Sequence, residues 1–266
     1  MVFWMNLVGC GANFLVWSIV VKEKDQQPPK PGGWIFFLMF TGIVGVGGTG
    51  YLLFVSYKQI GTGLSTVIHF LYPAIVSLFA AAILKEKMKW YKWIAILCSI
   101  GGIMLITGPS GQTQSFWKYF PALVSSITYS FYMICNGSLI LRKIPLQLKC
   151  CLMSMAVCIM FGSVLFITRK FIIPQSLETI GFIILSGISS ATAYNGLIYG
   201  ISRIGPSRAA FATLLEPLTS MLISVCMYHE KLGYKMLLGS GMILTAVFLN
   251  NGWEELKDGI KGFFYH

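Results

Sequence analysis

Acidic residues are scarce in this sequence: nine Asp and Glu among 266 residues, beside twenty Lys and Arg and three His. Charged residues make up 11% of the chain, where a soluble domain carries roughly 25%. Aspartate occurs only as Asp25 and Asp258, both outside the apolar runs, so the paired aspartates of an intramembrane protease are absent. No HExxH is present, and the serines of GISS at 187–190 have no histidine on a neighbouring run. No glycine-rich stretch leads into Lys-Ser or Lys-Thr, which removes the usual cradle for a nucleotide phosphate. The seven cysteines, Cys10, Cys98, Cys135, Cys150, Cys151, Cys158 and Cys226, are odd in number and lack disulfide or metal-ligand spacing. They read as small apolar packing residues. An enzyme is not expected, nor a cofactor, nor a bound metal.

Apolar residues account for 56% of the chain, and mean hydropathy is +0.73. Runs separated by turn or charge signals fall at about 1–21, 34–55, 62–84, 90–107, 117–139, 147–168, 179–200, 206–228 and 235–252. Each is close to the roughly 20 residues a helix needs to cross a bilayer. The expected fold is an all-α integral membrane protein of about nine transmembrane helices, with 1–266 one membrane domain. The run from Met1 to Val21 has no basic leader and no small-residue cleavage pattern, so it reads as a retained helix. Trp34, Trp90, Trp93, Trp117 and Trp253 stand at or near run ends, where an indole prefers the headgroup layer.

The formal charge of +11 does not indicate nucleic acid, because the basic residues occupy the short gaps between apolar runs. Taking alternate gaps as one side, fourteen lie on one face, including Lys22, Lys24, Lys30, Lys85, Lys149 and Lys257, and six on the other. Basic residues concentrate in cytoplasmic loops, which places the 22–33 loop and the 254–266 tail in the cytoplasm and the N-terminus outside.

The chain also repeats itself. IGTGLSTVIHFLYPAIVSLFAAAILKEK at 60–87 lies without gaps on IGPSRAAFATLLEPLTSMLISVCMYHEK at 204–231, a shift of 144 positions. Ile60, Gly61, Leu71, Pro73, Leu78, Glu86 and Lys87 match Ile204, Gly205, Leu215, Pro217, Leu222, Glu230 and Lys231. Upstream, Thr49 and Tyr51 match Thr192 and Tyr194 after a one-residue slip. The copies are the third and the eighth runs, an odd step of five, so they cross the membrane in opposite senses. Inverted repeats are an architecture of secondary transporters, with substrate held near the midplane. The first repeat spans about 1–110 and the second about 115–253. The second has five runs and the first four, so the expected fold is inverted five-helix repeats with the first helix absent.

LYPAIVSLFAAAILKEK and LEPLTSMLISVCMYHEK, each followed by a glycine-containing apolar run (WIAILCSIGGIMLITG, MLLGSGMILTAVFLN), resemble the paired signature of the EamA-like group of the drug/metabolite transporter superfamily. The resemblance covers nearly the whole chain. It implies ten helices in two inverted halves, cytoplasmic termini, and export of amino acids or related metabolites. The resemblance implies that the leading helix helps line the central cavity in that family; the helix expected here is either lost or left out of this sequence. Carriers of nucleotide sugars or drugs are other substrate classes within the superfamily, and a channel or a non-transporting membrane subunit is the alternative function.

Glu216 is the one acid deep inside an apolar run, and a charge there costs roughly 2.5 to 3.5 kcal/mol on insertion scales. It is either a carboxylate that binds a proton or a substrate amine, or a hydrogen-bond partner for backbone freed by Pro217. Ser65, His69 and Tyr72 share one helical face; Ala209, Thr213, Glu216 and Ser220 form the equivalent stripe. In the repeat Tyr72 stands for Glu216, and His69 for Thr213. His69 is either a ligand or a satisfied packing residue. Two further stripes, Ser125, Tyr129, Tyr132, Asn136 and Ser189, Thr192, Asn195, Tyr199, either join helices or line a polar path. Tyr129 and Asn195 lie deepest. The candidate substrate-binding set is His69, Tyr72, Tyr129, Asn195, Thr213 and Glu216, with Pro73 and Pro217 as helix kinks. Expected partners are the lipid bilayer, a small-molecule metabolite and protons as coupling ions; the sequence leaves open whether two chains pair as a homodimer. Glu86 with Lys87 and Glu230 with Lys231 read as interfacial ion pairs or gating contacts. The glycines of GIVGVGGTG at 42–50 and of 101–102 read as sites of close helix packing.

The topology is open to a labelling test. A cysteine introduced at Gln26 or Asp258 should escape a membrane-impermeant thiol reagent added to intact cells and react after permeabilisation. Strong labelling from outside at either position would reverse the orientation.

Overall fold

The computed structural model describes residues 2–23, 32–85, 87–107, 116–138, 141, 144–169, 173–228, 233–251 and 253. Among these the protein is helical and has no strand. In chain order the helices are α1 (Val2–Glu23), α2 (Gly33–Thr41), a π-helical turn (Gly42–Gly48), α3 (Thr49–Ile60), α4 (Thr62–His69), α5 (Tyr72–Ile83) and α6 (Trp90–Thr107). They continue as α7 (Phe120–Gly137), α8 (Leu146–Ile167), α9 (Leu177–Ile204), α10 (Pro206–Ala212), α11 (Leu215–Tyr228) and α12 (Tyr234–Asn251). Four stretches of the described residues are long and apolar enough to cross a membrane: Val2–Ile19, Gly33–Ile60, Leu146–Ile167 and Leu177–Ile204. Large apolar side chains face outward, Phe36, Leu97, Phe166 and Ile188 among them, while Ser56, Ser65, Ser77, Ser125, Ser130, Ser207 and Asn136 are buried. A surface that is greasy outside and hydroxyl-rich inside suits lipid as the surrounding solvent. This is a helical membrane protein. The ion-pair residues Glu86, Glu230 and Lys231, most of the 22–33 loop and the tail after Trp253 lie outside the described residues.

Helix bounds in the second half follow those in the first at the same interval of 144: Val2 and Leu146, Gly33 and Leu177, Thr62 and Pro206, Trp90 and Tyr234. The π-helical turn is a departure. A π turn accommodates one residue more than the α-helix it interrupts, and it precedes Thr49, where the sequence match slips by one. The segment is GIVGVGG; the Met153 backbone at Gly42 and the Tyr132 side chain at Gly45 leave no room for a Cβ, and the flexible end of Met160 lies against Gly47.

The chain forms two compact units, Met1–Tyr51 with Phe131–Arg203, and Leu52–Ser130 with Ile204–His266. In the first unit α1 and α8 run antiparallel: Cys10 meets Cys151, with the two Sγ atoms 3.6 Å apart, and the Cys158 thiol points at the Phe3 carbonyl. α1 runs parallel to α9, with Gly9 beside Ala191 and Gly187 against Met5 and Val8. In the same sense α2 and the π turn run along α8, Gly42 against Met153 and Gly47 against Val157. In the second unit α6 and α12 run antiparallel, Gly102 packing on the Gly239 carbonyl and Trp90 on Trp253 with ring centroids 6.1 Å apart. Small residues let these backbones approach, the main way helices associate when lipid removes the hydrophobic drive between them.

A Cβ at Gly102 would stand 2.7 Å from the Gly239 backbone oxygen, whereas one at Gly181 would meet nothing within 4 Å. Gly102→Ala should therefore cost about 1–3 kcal/mol and lower the melting temperature of the detergent-solubilised protein. Gly181→Ala should leave it unchanged or raise it. Equal melting temperatures for the two variants would contradict this packing.

Candidate functional site

In the second unit the two proline-bearing stretches are interrupted alike. Gly61 caps α4 at φ 79°, ψ 163°, and Gly205 caps α10 at φ 84°, ψ 162°. Both values lie in a region that only glycine enters without strain. Four turns or fewer later each helix breaks, at Phe70–Leu71 and at Thr213–Leu214, and resumes as α5 or α11. The breaks have a local cause: Pro73 and Pro217 lack an N–H and cannot donate to the carbonyl one turn back. The carbonyl of Thr213, left without its normal donor, accepts the Glu216 backbone N–H at 3.0 Å. Backbone therefore repairs this break, and the Glu216 carboxylate makes no hydrogen bond to a described residue. It is exposed, and close enough to act electrostatically on Tyr72.

Polar side chains collect at these breaks. The Tyr72 hydroxyl is hydrogen-bonded to the Thr213 hydroxyl, and Ser77 Oγ to Ser207 Oγ at 2.9 Å, so α5 and α10 lie side by side and antiparallel. His69 Nδ1 meets Ser125 Oγ of α7 at 3.1 Å. The His69 ring packs against Tyr72 and Tyr129 at centroid distances of 5.2 and 5.4 Å, and Tyr72 and Tyr129 meet edge to face at 4.7 Å. Ser130 Oγ donates to the Tyr72 carbonyl at 3.2 Å. Ser65 is occupied by its neighbours, bonded to Ser56 at 2.6 Å and to the Gly61 carbonyl. Of the candidate residues, His69, Tyr72, Tyr129 and Thr213 thus form one cluster, with Glu216 three residues beyond Thr213.

Directions within the cluster follow from proton counting. Ser125 Oγ donates its single proton to the Ala122 carbonyl at 2.6 Å, so it accepts from His69, and the imidazole carries its proton on Nδ1. Thr213 Oγ1 likewise donates to the Ala210 carbonyl at 2.7 Å, so the Tyr72 hydroxyl is the donor to Thr213. His69 Nε2 is left as an acceptor.

Asn195 belongs to the first unit. Its amide Nδ2 donates to Asn13 Oδ1 at 2.6 Å, joining α9 to α1, while Asn195 Oδ1 and Asn13 Nδ2 are buried without a partner. A cavity of about 150 Å³ in the same unit is lined by Asn6, Ser154, Ser190 and Tyr194 among others. Tyr132 and Asn136 also lie in this unit, fully buried. Sequence reasoning passed over Asn13, whose single amide in an otherwise apolar run was the available signal. It also read Lys149 as a loop charge, whereas Lys149 sits 2% exposed in the first turn of α8.

Apolar outer surfaces and helices long and apolar enough to cross a bilayer define a helical membrane protein, and its family makes it a transporter and not an enzyme. The profile of the EamA-like transporter family matches residues 1–108 and again 116–252, and the chain belongs to that family. An uncharacterized transporter of Archaeoglobus fulgidus is 26% identical over 230 residues, covering 86% of this chain and 79% of its own. An uncharacterized transporter of Synechocystis is 25% identical over 95% of this chain and 81% of its own. The uncharacterized inner membrane transporter YedA of Escherichia coli K12 is 20% identical over 92% and 81%. A crystal structure described only as that of a protein superposes with a TM-score of 0.78 at 15% identity, over 95% of this chain and 88% of the other, and so shares its fold.

The Asn13–Asn195 pair makes a measurable contribution. Asn13→Leu or Asn195→Leu strands the remaining buried amide and should each cost about 1–3 kcal/mol of stability. The double variant should cost at least about 0.5 kcal/mol less than the two added together. Strict additivity in thermal unfolding would show that the two amides do not interact.

Proposed function

We propose that this chain is a secondary carrier that moves a small polar metabolite, an amino acid or a related compound, out across the cytoplasmic membrane by alternating access. One observation carries the reading: the intramembrane ionisable residues His69 and Glu216 stand at or beside breaks in two helices related by the 144-residue interval. Broken helices offer free backbone groups and helix ends at membrane depth, which is how carriers hold polar cargo in a medium that otherwise rejects it. His69, Tyr72, Tyr129, Thr213 and Glu216 form the substrate site, Pro73 and Pro217 set the breaks, and Glu216 binds a coupling proton. Asn195, held by Asn13 in the other unit, is not assigned to this cluster.

Duplication of an inverted five-helix unit is supported by three features: the family profile matching each half, the constant interval between helix bounds, and the antiparallel packing of α1 on α8 and of α6 on α12. On this reading the chain crosses the membrane nine times and keeps its C-terminal tail in the cytoplasm.

Glu216→Gln keeps the shape of the side chain and removes its titration. In proteoliposomes, with a substrate found by screening amino acids and related metabolites, the variant should fold yet lose transport driven by a pH gradient. Wild-type rate and pH dependence in the variant would remove Glu216 from the mechanism.

A further inference from the structure

The repeat makes a prediction about pairing that goes beyond the site's composition. Tyr72 and Glu216 occupy the same position in the two copies, as do His69 and Thr213. The structure joins Tyr72 of the first copy to Thr213 of the second. A two-fold operation that exchanges the copies carries this pair onto Glu216 and His69. No hydrogen bond or ion pair joins Glu216 to His69 here; His69 is bonded instead to Ser125. One of two symmetry-related contacts is closed and the other is open.

We infer that Tyr72–Thr213 and His69–Glu216 are alternate latches, each closed in one of the two end states of the carrier. This rests on the carrier reading above. The groups that must change partners are prepared for it. When Tyr72 withdraws, Thr213 Oγ1 keeps its bond to the Ala210 carbonyl; when His69 withdraws, Ser125 Oγ keeps its bond to the Ala122 carbonyl. Both acceptor hydroxyls therefore keep their own protons bonded, and the exchange asks only the Tyr72 hydroxyl and the His69 Nδ1–H to find new partners. His69 Nε2 is an available acceptor, and Glu216 makes no hydrogen bond to a described residue, so the carboxyl, once protonated, can donate to the imidazole. The matching capping glycines at Gly61 and Gly205 give both segments the same entry geometry, as an exchange between equivalent arrangements requires. The Ser77–Ser207 bond belongs to the closed side, since its symmetry mates are Met221 and Gly63, which have no side-chain polar group to bond. The two latches are therefore unequal: two hydroxyl pairs close one state, and one imidazole–carboxyl pair closes the other.

Two double-cysteine variants test this in a protein whose seven native cysteines are replaced: Tyr72→Cys with Thr213→Cys, and His69→Cys with Glu216→Cys. Each is treated in membranes with a short bifunctional thiol reagent, and the link is mapped by mass spectrometry. Both pairs should link within one chain, the first acting as a control for correct folding. Adding Tyr72→Phe to the second variant removes the hydroxyl latch and should speed its linking about five-fold, the population shift expected from one lost hydrogen bond. Failure of the 69/216 pair to link, or an unchanged rate with Tyr72→Phe, overturns the proposal. Because the readout needs no substrate, linking by both pairs in a protein that transports nothing would leave the exchange standing and remove the carrier reading.

Discussion

The structure depends on one constraint: hydrocarbon offers no hydrogen bonds, so each backbone N–H and C=O inside the membrane must find its partner within the protein. Continuous helices meet it without help, and most of this chain is continuous helix. Among the described residues the exceptions include the two proline breaks and the π turn, and several buried polar side chains, Ser77, Ser125, Ser130 and Ser207 among them, lie around the breaks. Ser130 serves the Tyr72 carbonyl, the Glu216 N–H serves the Thr213 carbonyl, and several buried serines and threonines donate to a carbonyl of their own helix. These last bonds add little stability. They matter because they leave each hydroxyl oxygen free to accept, which makes Ser125 and Thr213 acceptors for His69 and Tyr72.

Packing answers a second demand of the same solvent. With no hydrophobic drive between helices, association rests on close contact, and glycine supplies it at Gly9, Gly42, Gly102 and Gly187. Contacts recur under the 144-residue interval: position 9 against 187 in one helix pair answers to 153 against 42–43 in the other. Different residues fill the corresponding places, so one pair meets through two glycines and the other through a glycine and Met153.

Much of this was legible in the sequence because the signals were local. Apolar runs located every long helix, and α6 was read at 90–107, its bounds in the structure. Pro73 and Pro217, read as kinks, stand just after the breaks, whereas the Ile-Gly pairs were read only as part of the repeat and their role as caps at positive φ appears in the structure. The π turn was visible only as a slip of one residue, because a π turn differs from an α turn by a count and not by a composition. Partners were not legible. Asn13 and Asn195 are 182 positions apart, and nothing local tells an amide whether it faces a helix, a lipid or a cavity. Burial of Lys149 escaped for the same reason, since periodicity placed it at a helix end and only tertiary packing covers it.

The chemistry at the repeat-related positions differs between the two copies. Had both copies kept Tyr and Thr, the two closed states would be equivalent and their balance indifferent to charge. With Glu216 where the first copy has Tyr72 and His69 where the second has Thr213, the carboxyl and the imidazole fall on one of the two latches inferred above. A hydroxyl pair has the same hydrogen-bond inventory whatever the proton supply, whereas a carboxyl and an imidazole change theirs with each proton gained. Only one of the two end states is then directly sensitive to protons, and a ligand or ion shifts an equilibrium only by its differential affinity for the two states. On the exchange inferred above, such an asymmetric pair of latches would be sufficient to couple proton binding to the direction a carrier faces, without any additional element in the fold.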